Sequence, residues 1–227
     1  MKAAALTVVV TLSLSALAHA QQEARNEREY RDHYSDLTFE LNTSIPGGNA
    51  VGDVRWSKFI TGSVGIEAQY SYLWRGSSWL YGGFYGGFGI DSFGGKRSSQ
   101  NDPALGTFDI RTDRLNMADL EFGGIFRQNF SGFHLDEHFG IGGVFYTKQE
   151  FDILNGGPSN MELIKGSVSY MVDFGARVVA PIGKDVDLGL GISYRINGAP
   201  ENGKDVPGVH FKAQYNLVFG LSLDIGF

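Results

Sequence analysis

The sequence contains no cysteine among its 227 residues. This absence excludes a small secreted domain held together by disulfide bonds, so the stability of the chain has to come from an extended hydrogen-bonded fold. Basic residues are also scarce, because 19 lysines and arginines stand against 25 acidic residues and the net charge is −6. No basic run is present, and the sequence therefore gives no reason to expect nucleic acid as a partner.

Long apolar runs are missing except at the N-terminus. Lys2 precedes an apolar stretch over residues 3–17, and the small residues Ala18 and Ala20 around His19 fit a signal-peptidase site. We therefore predict a signal peptide over residues 1–20, with cleavage between Ala20 and Gln21. The run is short for a transmembrane helix, which needs about 20 apolar residues. Residues 21–33 carry many charges and almost no apolar face, which predicts a solvated short helix or a disordered tail in the periplasm.

The overall hydropathy does not decide between a soluble and a membrane protein. Apolar residues make up 42% of the chain and the mean hydropathy is −0.13. A transmembrane β-barrel needs apolar residues only at alternate positions, so such ordinary values are compatible with one. The 32 glycines, 17 phenylalanines and 10 tyrosines are more informative, because both kinds of residue recur in barrel walls.

From residue 34 onward, apolar and polar residues alternate with a period of two, which is the pattern of β-strands and not of helices. The eighth run is the clearest, since the odd positions from Phe211 to Phe227 are apolar without interruption. In the third run, paired glycines put an aromatic on each face in turn, and its facing cannot be assigned. The eight runs cover residues 37–43, 64–72, 79–91, 118–127, 138–146, 168–178, 186–195 and 211–227.

The runs and their connections together favour a membrane barrel over a soluble sandwich. Several runs reach the roughly ten residues that a tilted strand needs to cross a bilayer. Short links at 75–78 and 181–184, and a modest one at 129–137, alternate with longer polar segments. Such alternation is typical of outer-membrane proteins, with short periplasmic turns and longer external loops. We predict an all-β fold, a transmembrane antiparallel up-and-down β-barrel of about eight strands over residues 34–227, with both termini periplasmic.

The apolar face of this barrel is expected to meet lipid and the polar face to line the lumen. Counted along the strands, the middle layer of the lumen looks acidic, with the bases nearer the ends. One interpretation is a plug of ion pairs that fills a narrow lumen; the other is a thin pore that favours cations. The predicted lumen residues are Glu40, Glu67, Asp119, Glu121, Arg127, Asp173, Arg177, Asp187, Arg195, Lys212 and Asp224.

No motif for catalysis, a cofactor or a metal stands out. The four histidines beyond the signal peptide do not follow metal-ligand spacing, and there is neither a nucleophile elbow nor a phosphate-binding loop. Asp136, Glu137 and His138 form a polar cluster that we expect to be solvated at a periplasmic turn. The sequence thus predicts a protein that is not an enzyme and needs no cofactor.

The signal peptide, the alternating strands and the ending Leu221-Ser222-Leu223-Asp224-Ile225-Gly226-Phe227 resemble the small, porin-like outer-membrane β-barrel superfamily. This superfamily includes opacity-type surface antigens and the transmembrane domain of outer membrane protein A. The resemblance implies that the barrel-assembly machinery recognises the terminal aromatic Phe227, with Phe219 and Tyr215. Lipid A deacylases of similar size carry a His-x-Ser-Asn strand motif that is absent here, which counts against an enzyme.

The expected function is a structural or surface-interaction role in the bacterial outer membrane, exerted through the external loops by a monomer surrounded by lipid. The alternative is a small cation-favouring channel or transporter that uses the acidic lumen. A lipid A-modifying enzyme is the least favoured of the three. Fold alone does not choose among them.

Overall fold

The computed structural model describes residues 32–102, 106–154 and 156–227. The predicted signal peptide, its cleavage site and residues 21–31 of the charged tail lie outside the described residues. The described chain is built from fourteen β-strands and one short 3₁₀ helix at Trp56–Lys58. The strands are β1 (His33–Gly47), β2 (Asn49–Val51), β3 (Val54–Arg55), β4 (Ile60–Arg75), β5 (Leu80–Gly95), β6 (Arg97–Asp102), β7 (Gly106–Thr112), β8 (Leu115–Phe130), β9 (Phe133–Tyr146), β10 (Gln149–Ile153), β11 (Met161–Ile164), β12 (Ser167–Pro181), β13 (Val186–Asn197) and β14 (Gln214–Gly226).

Eight long strands close into a barrel in the order β1-β14-β13-β12-β9-β8-β5-β4. All neighbours are antiparallel, and the first strand pairs with the last from Asp36 opposite Gly226 to Gly47 opposite Tyr215. The predicted eight-stranded antiparallel barrel is therefore confirmed. Closure pairs both edges of every strand, as a sheet surrounded by lipid requires. Among the described residues, no helix is long and apolar enough to cross a membrane.

The alternation along each strand decides what the two faces of the barrel carry. Large apolar side chains such as Phe39 and Leu221 point outward, and each is 47% exposed. Polar side chains of the same strands, such as Asp173 and Asp224, point inward and are buried. This arrangement is the reverse of a soluble barrel and suits a wall with lipid outside and a polar interior.

The facing of the third run, which the sequence leaves open, is resolved in β5. Tyr81, Tyr85 and Phe93 point into the barrel and are buried, whereas Phe84 and Phe88 point outward and are about half exposed. Two glycines separate Tyr81 from Phe84, and two more separate Tyr85 from Phe88. The aromatics of each pair are therefore three residues apart, an odd spacing that puts them on opposite faces. Both faces of β5 are thus aromatic.

Two predicted strand boundaries are wrong. The link predicted over residues 129–137 is a two-residue turn, because β9 already begins at Phe133 and Gly132 supplies the left-handed backbone (φ +96) that a tight turn needs. The last strand begins at Gln214 and not at Phe211. Phe211 instead stacks on Trp56 with ring centroids 5.6 Å apart, beyond the end of the barrel.

Two of the glycine pairs in the strands have unequal surroundings. A Cβ atom on Gly123 would lie 2.0 Å from the carbonyl oxygen of Phe139, whereas the nearest atom to a Cβ on Gly124 is 3.9 Å away. The pair Gly142–Gly143 repeats this asymmetry, at 2.0 and 3.7 Å. In these two pairs, one glycine is therefore required by the approach of the neighbouring backbone, and the other is not.

We expect Gly123→Ala to destabilise the barrel by about 1–3 kcal/mol, because the added methyl group has to push a neighbouring strand away. Gly124→Ala is the matched control and should be neutral within about 0.5 kcal/mol. Denaturant unfolding of the two variants in detergent micelles measures the difference. Equal stabilities would show that the wall tolerates a side chain at either position.

The two ends of the barrel differ. One end, here called the turn end, has three short connections at residues 76–79, 131–132 and 182–185. At the other end, four long connections fold into a cap that contains the sheet β11-β10-β7-β6, the hairpin β2-β3 and the 3₁₀ helix. The long connections thus form a folded structure of their own at this end of the barrel.

Candidate functional site: the charged lumen and the cap

Ten of the eleven residues predicted to line the lumen lie on barrel strands with inward side chains. Lys212 does not, and this part of the prediction is wrong. It lies in the cap, where its side chain is exposed and its Nζ donates to the carbonyl oxygen of Gly52 at 2.8 Å. The alternation that suggested a lumen position does not extend before Gln214, where β14 begins.

Arg195 holds the largest group of carboxylates, here called the Arg195 cluster. Its guanidinium nitrogens lie 2.9 Å from Asp173, 3.0 Å from Glu67, 3.3 Å from Asp119 and 3.6 Å from Asp91. Five strands supply these side chains, since β4, β5, β8, β12 and β13 each contribute one. A single buried cation therefore ties together more than half of the barrel circumference.

A second group, the Arg127–Arg177 cluster, lies nearer the turn end. Arg127 binds Asp36 and Asp136, each at 2.7 Å, and Arg177 binds Asp136 and Asp224, each at 3.1 Å. All five side chains are buried. The hydroxyl of Thr38 donates to Asp224 as well, so a network of charge-assisted hydrogen bonds crosses the lumen.

The expected layering, with an acidic middle and bases near the ends, is wrong in one respect. Arg195 lies among the acidic residues of the middle layer and contacts two of them, Glu67 and Asp173. Counting along single strands misplaces the depth of a residue, because tilted strands bring residues at different positions along their strands to one level. Only the register between strands shows which residues meet.

Sequence reasoning missed three buried lumen carboxylates: Asp36, Asp91 and Asp136. Asp91 lies in the glycine-rich strand whose facing could not be assigned. Asp136 was expected to be solvated at a turn, but it is 1% exposed and binds both arginines of its cluster. The alternation of apolar and polar residues in β9, when it is followed back to Phe133, is the signal that predicts the inward position of Asp136. Counting these three, ten inward carboxylates face four inward guanidinium groups: Asp36, Glu40, Glu67, Asp91, Asp119, Glu121, Asp136, Asp173, Asp187 and Asp224 against Arg75, Arg127, Arg177 and Arg195.

Buried apolar clusters lie towards both ends of the lumen. One cluster extends from the turn end towards the middle of the lumen, and the ring centroid of its Tyr34 lies 5.7 Å from the guanidinium carbon of Arg127. The cluster consists of Tyr34, Leu73, Tyr81, Tyr85 and Ile125. Between the two ends, a cavity lined by Glu40, Glu67 and Asp173 has a volume of only about 30 Å³. That space holds one or two water molecules.

The cap closes the opposite end with an apolar core, here called the cap core. Each of the four long connections contributes to it, through Trp56, Ile110, Phe151 and Phe211 among others, together with inward residues from the barrel mouth such as Met171. Polar contacts reinforce this packing: Lys96 donates to the carbonyl oxygen of Ser57 at 2.7 Å, and the Tyr146 hydroxyl donates to that of Gly198 at 2.7 Å. The long connections are thus one packed unit with the barrel.

The sheet of the cap is amphipathic. Ile110 and Ile153 lie opposite each other on the face towards the cap core, while Arg111 and Asp152 share the other face and form an ion pair of 2.7 Å. Arg97 lies opposite Arg111 and is 65% exposed. The outer face of the sheet is therefore charged and accessible.

Hydrogen bonds fix the charges of this outer face. A hydrogen bond from Ser99, with the Arg97 guanidinium beside it, lowers the pKa of Asp109 below its usual value. The backbone N–H of Asn160 and the Arg111 guanidinium lower the pKa of Asp152 in the same way. Both carboxylates stay ionised at neutral pH, so the face presents alternating charges in defined positions.

The residues implied in assembly lie on the lipid-facing side of β14 or just after it. Tyr215 and Phe219 point outward, and Phe227 is 67% exposed while its backbone N–H donates to Ser35 at 2.8 Å. Their recognition by the assembly machinery stays a prediction. Within the described ranges, no three His, Asp or Glu side chains are grouped so that they could hold a metal ion.

The described residues form a closed barrel of eight antiparallel strands with an apolar exterior, and this combination identifies the architecture. The chain has the fold of the small outer-membrane β-barrels. Solved structures with a similar fold include Ail, the attachment invasion locus protein of Yersinia pestis, at 15% identity and TM-score 0.47, over 87% of this chain and 100% of that one. A major outer membrane protein from Thermus thermophilus is 11% identical with TM-score 0.48, over 84% and 99% of the two chains.

The outer membrane enzyme PagL is 9% identical, with TM-score 0.47 over 83% of this chain and 98% of that chain. No protein-family model matches the sequence, and no curated protein matches it. Fold alone does not decide function, so the function has to be argued from the chain's own residues.

Proposed function

We propose that the chain is an integral outer-membrane protein that does not conduct ions and that presents its cap outside the cell as an interaction surface. In this orientation, the turn end and both termini face the periplasm. The observation that carries the proposal is the cap core, which joins all four long connections to the barrel mouth. A surface that is already ordered loses little conformational entropy when a partner binds.

The proposal assigns no catalytic activity to the chain. The buried polar side chains of the lumen lie beneath the cap core and beside the apolar cluster around Tyr85, and both clusters would hinder the entry of a substrate. Many of the carboxylates are occupied by arginines within hydrogen-bonding distance. In the membrane the protein acts as a monomer surrounded by lipid, and Phe227 serves in assembly.

A small cation-favouring channel is the second candidate, because one observation favours it. The excess of inward carboxylates over guanidinium groups gives the lumen the charge that cation pores use. The closed ends oppose this function, because ions would need both apolar clusters to open.

Cells that display the protein can test the interaction role. We expect them to bind protein-coated or glycan-coated surfaces more than cells without it, and a variant with Arg97→Ser and Arg111→Ser to lose part of this binding. The control Leu190→Ala changes only the lipid-facing wall and should bind like the wild type. Equal binding by cells with and without the protein on every surface would contradict the proposal.

A further inference from the structure

Glu137 is unusual among the residues of the barrel wall. The other Asp, Glu, Lys and Arg residues of the eight barrel strands, all within the described ranges, are inward-facing and at most half exposed. Glu137 points outward and is exposed, between the inward-facing Asp136 and His138. Ionisable groups on the lipid-facing side of a membrane protein are costly and rare, so this position calls for a physical explanation.

The depth of Glu137 places it at the edge of the lipid chains. It lies four residues above Phe133, where β9 leaves the turn, which corresponds to roughly 10 Å along the barrel axis for a strand tilted by about 40°. The outward rings of Phe126, directly opposite on β8, and of Phe139 flank it, and each is 57% exposed. The carboxylate therefore stands in apolar surroundings close to the headgroups of the turn end.

Its side chain leans towards those headgroups. The amide of Gln128 donates to Oε2 of Glu137 at 3.1 Å. Gln128 pairs with Leu135, two residues nearer the turn than Glu137, so the hydrogen bond draws the carboxylate in that direction. A neutral amide shares this hydrogen bond but leaves the negative charge uncompensated.

A cation from the surroundings would complete the site. The barrel strands of a second copy would bring no lysine or arginine to this depth, because they carry none on their lipid-facing side. Phospholipids with a primary ammonium group supply both a positive charge and N–H donors at this depth. We propose that Glu137 and Gln128 form a binding site for the primary ammonium headgroup of a membrane phospholipid, with the acyl chains lying against Phe126 and Phe139.

Lipid retention measured by native mass spectrometry tests this site. The refolded protein is released from micelles that contain equal amounts of phosphatidylethanolamine and phosphatidylcholine with identical acyl chains. The headgroup of phosphatidylcholine carries the same positive charge but has no N–H donor. We expect the wild type to retain phosphatidylethanolamine about fivefold more than phosphatidylcholine, which corresponds to the energy of one partly desolvated ion pair. This preference should be lost in Glu137→Gln. Glu162→Gln in the cap is the matched control and should keep the preference.

Each other result overturns the proposal. Equal retention of the two lipids by the wild type would mean that no ammonium site exists. A preference that survives in Glu137→Gln would place the site elsewhere on the protein. A wild-type dimer that dissociates in Glu137→Gln, without any lipid preference, would assign the residue to a protein contact. The heat-dependent gel shift of folded barrels confirms that every variant is folded.

Discussion

Arg195→Met is expected to lower the free energy of unfolding by about 3–5 kcal/mol, because it leaves several buried carboxylates without their common cation. Arg195 lies within 3.6 Å of four carboxylates and is itself buried, so water cannot replace the lost charge. Methionine keeps the length and much of the volume of the side chain, which limits the effect of a cavity. Denaturant unfolding of the protein refolded in detergent, followed by tryptophan fluorescence, measures the change.

An exposed ion pair supplies the control. Lys165 binds Glu201 at 3.1 Å in the cap, and both side chains are 62% exposed. Lys165→Met should cost at most about 1 kcal/mol, since water screens such a pair. If Arg195→Met were as mild as this control, the carboxylates would not depend on the arginine and the Arg195 cluster would not hold the barrel together.

Trp56→Ala should cost about 3–5 kcal/mol, the usual range for removing a buried tryptophan ring from a packed core. Trp56 is completely buried, stacks on Phe211 and donates from Nε1 to the carbonyl oxygen of Ala213 at 3.3 Å. The substitution therefore removes contacts that connect the first and fourth long connections. Its main effect is expected in the cap, because the barrel ladder does not include this residue.

Hydrogen exchange resolves where the stability is lost. Amide protons of β7 and β10 should exchange faster in Trp56→Ala, while those of β12 and β13 keep the wild-type rate. Trp79→Ala is the control, since this tryptophan is 53% exposed at the turn end. Unchanged exchange throughout the cap of Trp56→Ala would mean that the long connections are ordered without the cap core.

The barrel could be predicted because the information for it is local. Seven of the eight runs alternate over seven or more residues, and the odd positions from Tyr215 to Phe227, in β14 and just after it, are apolar. The inward facing of Glu67, Asp173 and Arg195 follows from the same alternation. The eight-strand count and the antiparallel order follow in turn from short turns between long strands.

The rest could not be predicted because it depends on contacts between distant segments. Which carboxylate meets Arg195 is decided by the register of five strands, which no single strand contains. The strands of the cap are short, and their alternation is too brief to identify: β6 covers six residues and β11 four. Phe211 continued the pattern of β14 but belongs to the cap core, where Trp56 provides its partner. Glu137 was grouped with two neighbours that face the opposite side of the wall.

Planar-bilayer recording of the refolded protein tests the central claim, a barrel closed at both ends, most directly. The account predicts no discrete conductance steps for the wild type across the accessible voltage range, because the cap core, the two arginine clusters and the apolar cluster around Tyr85 occupy the lumen. Reproducible cation-selective steps from the folded monomer would contradict it, and their loss of selectivity in Glu67→Gln would assign the conduction to the acidic lumen.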